Sequence, residues 1–133
     1  MNIDAFDIPV ITVDEDYNSI VVRKKFPKEN RGGLIISPRI AAQNFRVRES
    51  NPGYETSWHM AGDPTFIAIQ QGVLRISFRD GSYHDFGAGS SFIAADSLPD
   101  HISFDDEKHG HKATVIGQQT LKAIHIKLLK FSL

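Results

Sequence analysis

From about Ser19 to the C-terminus, short runs rich in Val, Ile and Phe alternate with breaks of Gly, Pro, Asn and Asp. That rhythm belongs to strands and tight turns, because β-branched and aromatic side chains suit a pleated surface and the break residues suit turns. The clearest run is 73–79. Val73, Arg75, Ser77 and Arg79 alternate there with Leu74, Ile76 and Phe78, which predicts one oily and one wet strand face. Asp80-Gly81 supplies a hairpin turn and 82–86 the return strand. Further strands are expected at 20–24, 34–37, 44–48, 65–70, 91–94, 113–116 and 121–128. So many short strands predict an all-β closed barrel. The stretch 96–109, with Pro99 and five acidic residues, reads as a long loop over one barrel end, the usual place for a lid. Residues 1–18 read as an N-terminal arm and 19–133 as the barrel domain.

Composition narrows this picture mainly by exclusion. A chain of 133 residues with 41% hydrophobic positions is sized for one packed core. Fifteen basic against sixteen acidic residues leave a net charge of -1, so nucleic acid is not an implied partner. The basic cluster Arg23, Lys24, Lys25 and Lys28 reads as a solvated strand end that discourages edge pairing. No cysteine is present, which rules out disulfides and thiolate metal sites and suits a reducing compartment. No apolar run approaches membrane-spanning length and the N-terminus lacks a basic-then-apolar leader. The expected location is the cytoplasm, with no membrane partner. Arg31-Gly32-Gly33 lacks the Lys-Ser/Thr of a phosphate-binding loop, and no nucleophile elbow is visible.

The chemistry-bearing residues are histidines. Gly53 stands six positions before His59, Thr65 stands six after it, and Gly72 closes the segment. This spacing resembles the first motif of the cupin superfamily, and Trp58-His59-x-Ala61 with Gly72-x-Leu74, Asp80-Gly81, Phe86 and Gly89 is similar to a branch of small single-domain cupins. The resemblance spans roughly 52–117. It implies a jelly-roll barrel, the cupin double-stranded β-helix, in a single domain that pairs as a homodimer. Ala61 stands where the family has a second His, Thr65 where it has a carboxylate in the motif, and Val73 where the small branch has Glu. The second motif starts at Gly89 and ends on a histidine. Two positions compete for that end: His101 after Pro99, and His111 within Gly110-His111 ahead of Thr114, Val115, Ile116 and Gly117.

The resemblance makes His59 and His111 the candidate ligand-binding pair, with Trp58 and Thr65 beside them and His101 as the alternative to His111. The same two imidazoles are the candidate metal ligands for a divalent transition metal, with Asp96, Asp100, His109 or His125 completing the set. An imidazole in a semi-polar cavity also titrates near neutrality and serves as a general acid or base without metal. His84 and His109 are expected on an exposed strand face and in a loop. Three functions stand open: a barrel that binds a small organic molecule in its mouth, a metal-dependent dioxygenase, isomerase or lyase, and a non-catalytic dimerisation module.

Overall fold

A computed structural model describes residues 4–133. Eleven strands and no helix make up the described chain: β1 Ala5–Val13, β2 Ser19–Pro27, β3 Glu29–Arg31, β4 Leu34–Ile36, β5 Ala42–Ser50, β6 Thr65–Gln71, β7 Val73–Ser77, β8 Tyr83–Phe86, β9 Ser91–Ala94, β10 Lys112–Ile116 and β11 Leu121–Leu128. Six strands form one sheet in the order β2-β1-β9-β6-β11-β5. β10, β7 and β8 form a second sheet in that order, and β3 with β4 makes a separate hairpin. The segment 53–59 runs antiparallel beside β10 and joins the smaller sheet through the Glu55↔Thr114 and His59↔His111 bridges. Hydrogen bonds from Gly53 N to Val115 O (3.0 Å) and from Thr56 N to Ala113 O (2.9 Å) hold the rest of it.

The expected alternation in β7 is realised. Leu74, Ile76 and Phe78 are buried and join Ile67, Ile69, Phe86, Phe92, Val115, Leu121 and Ala123 in the core between the sheets. Asp80 sets the turn into β8, its Oδ1 accepting from Ser82 N (2.8 Å) and Ser82 Oγ (2.6 Å). A second cluster of Val10, Ile93 and Leu128, with Phe66, Ile126 and Phe131 against it, lies on the outer face of the larger sheet.

The N-terminal region departs from the expected arm. Within 1–18, residues Ala5–Val13 form β1, which pairs with β2 along its whole length and runs parallel to β9 at Val10↔Ile93 and Ile11↔Ala94. Val10 and Ile11 are fully buried, one in each cluster. The turn after β1 is closed by Asp14, whose Oδ1 accepts from Asp16 N (2.9 Å) and Asn18 N (3.0 Å). Pro9 faces Arg23 in the β1–β2 pair. A proline and an acidic start disguise a strand that tertiary pairing then recruits. Residues 1–3 of the expected arm lie outside the described residues.

Among the described residues no helix is long and apolar enough to cross a membrane.

Candidate functional site

His59 and His111, fifty-two residues apart, are direct cross-strand partners: each backbone N–H donates to the other's carbonyl, at 3.0 and 2.9 Å. Their rings stand 4.6 Å apart between centroids, tilted by 55°. Gly110 makes this approach feasible. Its φ is +89°, and a Cβ there would sit 2.5 Å from the His59 carbonyl oxygen, closer than any real contact. Only glycine satisfies both the left-handed backbone and the missing space. The Gly110-His111 pair therefore has a physical reason, and His111 rather than His101 meets His59. His101 is exposed in the loop.

Each imidazole is oriented through its Nδ1. His59 Nδ1 lies 2.9 Å from the Ser57 carbonyl, which can only accept, so the proton sits on Nδ1 and Nε2 keeps its lone pair. His111 Nδ1 lies 2.7 Å from Asp96 Oδ2, with the same consequence. Asp96 is completely buried and accepts from two further groups, Ser19 Oγ at 2.7 Å on Oδ2 and Ala61 N at 3.0 Å on Oδ1. Three donors converging on one carboxylate fix it as the support behind His111, in the manner of a carboxylate that sets an imidazole's tautomer. Burial holds the His59 pKa below its ordinary value, opposed by the Ser57 carbonyl and reinforced by nearby His111. A neutral His59 with a free Nε2 can accept a hydrogen bond or a proton.

Both histidines line a cavity of about 250 Å³ between the sheets. Its floor is apolar, with Ile67, Leu74, Ile76 and Phe92 among the walls, and Thr65, Tyr54 and Thr56 add hydroxyl-bearing side chains. The larger sheet contributes Arg48 from β5 and His125 from β11. Arg48 Nη1 donates to His125 Nδ1 at 3.3 Å. Burial, then Arg48 and Arg46, push the His125 pKa down to about 4, so this ring is neutral and its proton is on Nε2. Arg48 is absent from the sequence-based candidates because β5 alternation misleads: Phe45 and Val47 look like the core face, yet they are 71% and 64% exposed while Arg48 and Ser50 face the cavity. Only the strand pairing reveals the inward face, since inward Leu121, Ala123 and His125 oppose Ser50, Arg48 and Arg46.

The remaining candidates are dispersed. Thr65 lines the cavity, but its hydroxyl donates to the Asp63 carbonyl at 3.0 Å. Trp58 is not among the cavity-lining residues. Its ring is covered by the Arg79 guanidinium at 3.9 Å and approached by Lys112 Nζ at 5.1 Å. Arg79 also donates to the His109 carbonyl at 2.9 Å and to the Asp106 carbonyl at 2.6 Å, so it clamps the long loop onto Trp58. His109 is buried in that loop, its Nδ1 accepting from Asp105 N at 3.0 Å. His84 is exposed on β8, beside Phe86.

This donor set does not fit a resident catalytic metal, which needs three or four converging protein ligands. Among the described residues no group of three or more His, Asp or Glu side chains is placed to hold a metal ion. Asp96 has both oxygens engaged behind His111, Ala61 offers no donor, and the Arg48 cation faces the same cavity.

No family model and no curated protein matches the chain. Solved structures similar to it include a cupin-2 domain protein from Shewanella frigidimarina, at 22% identity and TM-score 0.47 over 69% of this chain and 79% of that one. Another is a cupin domain from Bordetella pertussis, at 18% identity and TM-score 0.44 over 70% and 92%. A third is the Cnp3 cupin domain of Schizosaccharomyces pombe, at 12% identity and TM-score 0.45 over 95% and 89%. The decisive observation is the strand order of this molecule itself. β5-β11-β6-β9 face the row formed by 53–59, β10, β7 and β8, which is the eight-stranded double Greek key. The fold is an eight-stranded jelly roll. In this jelly-roll barrel the two sheets supply opposite walls of the cavity, imidazoles on one and the Arg48–His125 pair on the other.

Proposed function

We propose that the chain binds a small organic molecule in the barrel cavity, against the Nε2 atoms of His59 and His111. The observation that carries this reading is the shared cavity of two imidazoles from distant parts of the chain, both anchored through Nδ1 so that the same nitrogen is left for a ligand. Apolar walls with a few convergent polar groups are the usual composition of a small-molecule site. A reducing compartment such as the cytoplasm suits the cysteine-free chain. The test is a fragment titration followed by NMR. Binders should shift the ring signals of His59 and His111, and His59→Ala and His111→Ala should each weaken them. A library in which no binder perturbs either ring would sink the reading.

A second reading, homodimerisation, has its own observation. β5 is an edge strand whose outer face exposes Phe45 and Val47, opposite Ile126 and Ile124 of β11. An unpaired edge with an apolar face favours covering by a second copy. Native mass spectrometry should find a dimer that Val47→Glu converts to monomer. A monomer at all concentrations removes this reading.

A further inference from the structure

The polar groups on the two cavity walls differ in kind. On one side His59 and His111 present lone pairs, because Nδ1 of each already carries and donates the proton. On the other, Arg48 is a guanidinium and His125 a ring whose Nδ1 accepts from it, which leaves His125 Nε2 as a donor. Arg46 sits directly opposite His125 in the β5–β11 pair and adds positive charge. Among the described residues, none of the cavity-lining side chains is Asp or Glu. Arg48 has no carboxylate partner in the described ion pairs; its partner is an imidazole. The Asp96 carboxylate lies behind His111 and is consumed by three donors. Arg48, on its solvent-exposed strand, and the His125 ring N–H therefore face a largely apolar hollow whose lining holds no anion.

We infer that Arg48 and His125 form an anchoring subsite for the carboxylate of a small, largely apolar organic acid. The planar guanidinium fork matches a carboxylate in a bidentate arrangement, and His125 Nε2–H supplies a further donor beside it. The apolar body then lies along Ile67, Ile76 and Phe92, and its far end meets the acceptor nitrogens of His59 and His111. A volume of about 250 Å³ corresponds to roughly eight water volumes, which limits the ligand to on the order of ten non-hydrogen atoms. The inference rests on the proposed ligand-binding role of the cavity and adds the class of ligand.

The experiment compares benzoate with benzamide, which share size and shape and differ in charge, and extends to a small panel of other monocarboxylates with their amides. Affinities are read by NMR titration of the full chain, with inorganic phosphate as a third arm. Acids should bind roughly tenfold or more tightly than their amides, and Arg48→Gln should erase that preference by weakening the acids more than the amides. Arg48→Lys should restore only part of it, because a point charge lacks the fork. Acids and amides binding equally would overturn the inference while leaving the cavity-binding proposal intact. Phosphate competing as well as benzoate would also overturn it, as the mark of an adventitious ion only. If neither acids nor amides bind, the cavity-binding proposal itself fails.

Discussion

Replacing Asp96 by Asn changes one atom at the centre of a fully buried network, and its consequence can be followed proton by proton. In the native chain Oδ1 accepts from Ala61 N, and Oδ2 accepts from both Ser19 Oγ and His111 Nδ1. The Ala61 amide cannot rotate away, so the Asn carbonyl must occupy the Oδ1 position and its NH₂ the Oδ2 position. There it faces two former donors. Ser19 can turn its hydroxyl and accept, but His111 can accommodate an NH₂ only by giving up its Nδ1 proton and moving it to Nε2. The variant thus inverts the His111 tautomer and turns a ligand-facing acceptor into a donor. Three hydrogen bonds to a charged group become neutral ones, a loss of about 1 kcal/mol each and roughly 3 kcal/mol together. That is well within a typical stability of ~5–15 kcal/mol, so Asp96→Asn folds. At about 3–4 °C per kcal/mol for this chain length, melting should drop by roughly 9–12 °C. Ring ¹⁵N–¹H correlation spectra check the tautomer directly, with the His111 Nε2 signal moving from its unprotonated to its protonated position. A variant that keeps an unprotonated Nε2, or melts with the native chain, refutes the support role assigned to Asp96.

Other consequences follow from the same geometry. Gly110→Ala must enter a left-handed backbone and strike the His59 carbonyl, so it should cost on the order of 2–4 kcal/mol and disturb both imidazoles; chemical denaturation with His ring NMR reads both, and a silent substitution contradicts the close-approach argument. Acidification should weaken the fold through His59 and His125, whose folded pKa values lie below the ordinary 6.5. The unfolded chain then takes up protons first, so this stability is complete above pH 6.5 and is lost as pH falls toward about 4; urea melts from pH 7.5 to 4.5 measure the slope, and His125→Gln should flatten it. Deleting residues 1–13 removes buried Val10 and Ile11, worth roughly 1.5–3 kcal/mol each. The truncated chain should lose cooperative unfolding in calorimetry, whereas a loose arm would be dispensable.

Much of the barrel can be read from local pattern alone. Strand β7 follows from alternation and its Asp80-Gly81 turn, because a half-buried strand writes its burial into every second side chain. Strands β6, β9 and β11 follow from apolar runs bounded by turn residues. The spacing of Gly53, His59 and Gly72 and the Gly110-His111 pair point to the two imidazoles, because close backbone approach leaves a glycine as its trace. What the chain does not write locally is which partner a side chain meets. Asp96 reads as one more acid in an acidic loop, and only the packing of Ser19, Ala61 and His111 around it makes it their common acceptor. β1 depends on a parallel neighbour, β9, eighty-three residues downstream at Val10↔Ile93. β5 reverses its apparent faces: Phe45 and Val47 lie outward and Arg48 inward because the register with β11, rather than hydropathy, decides which side faces the cavity. Alternation fixes that two faces exist, and long-range pairing chooses which of them is inside.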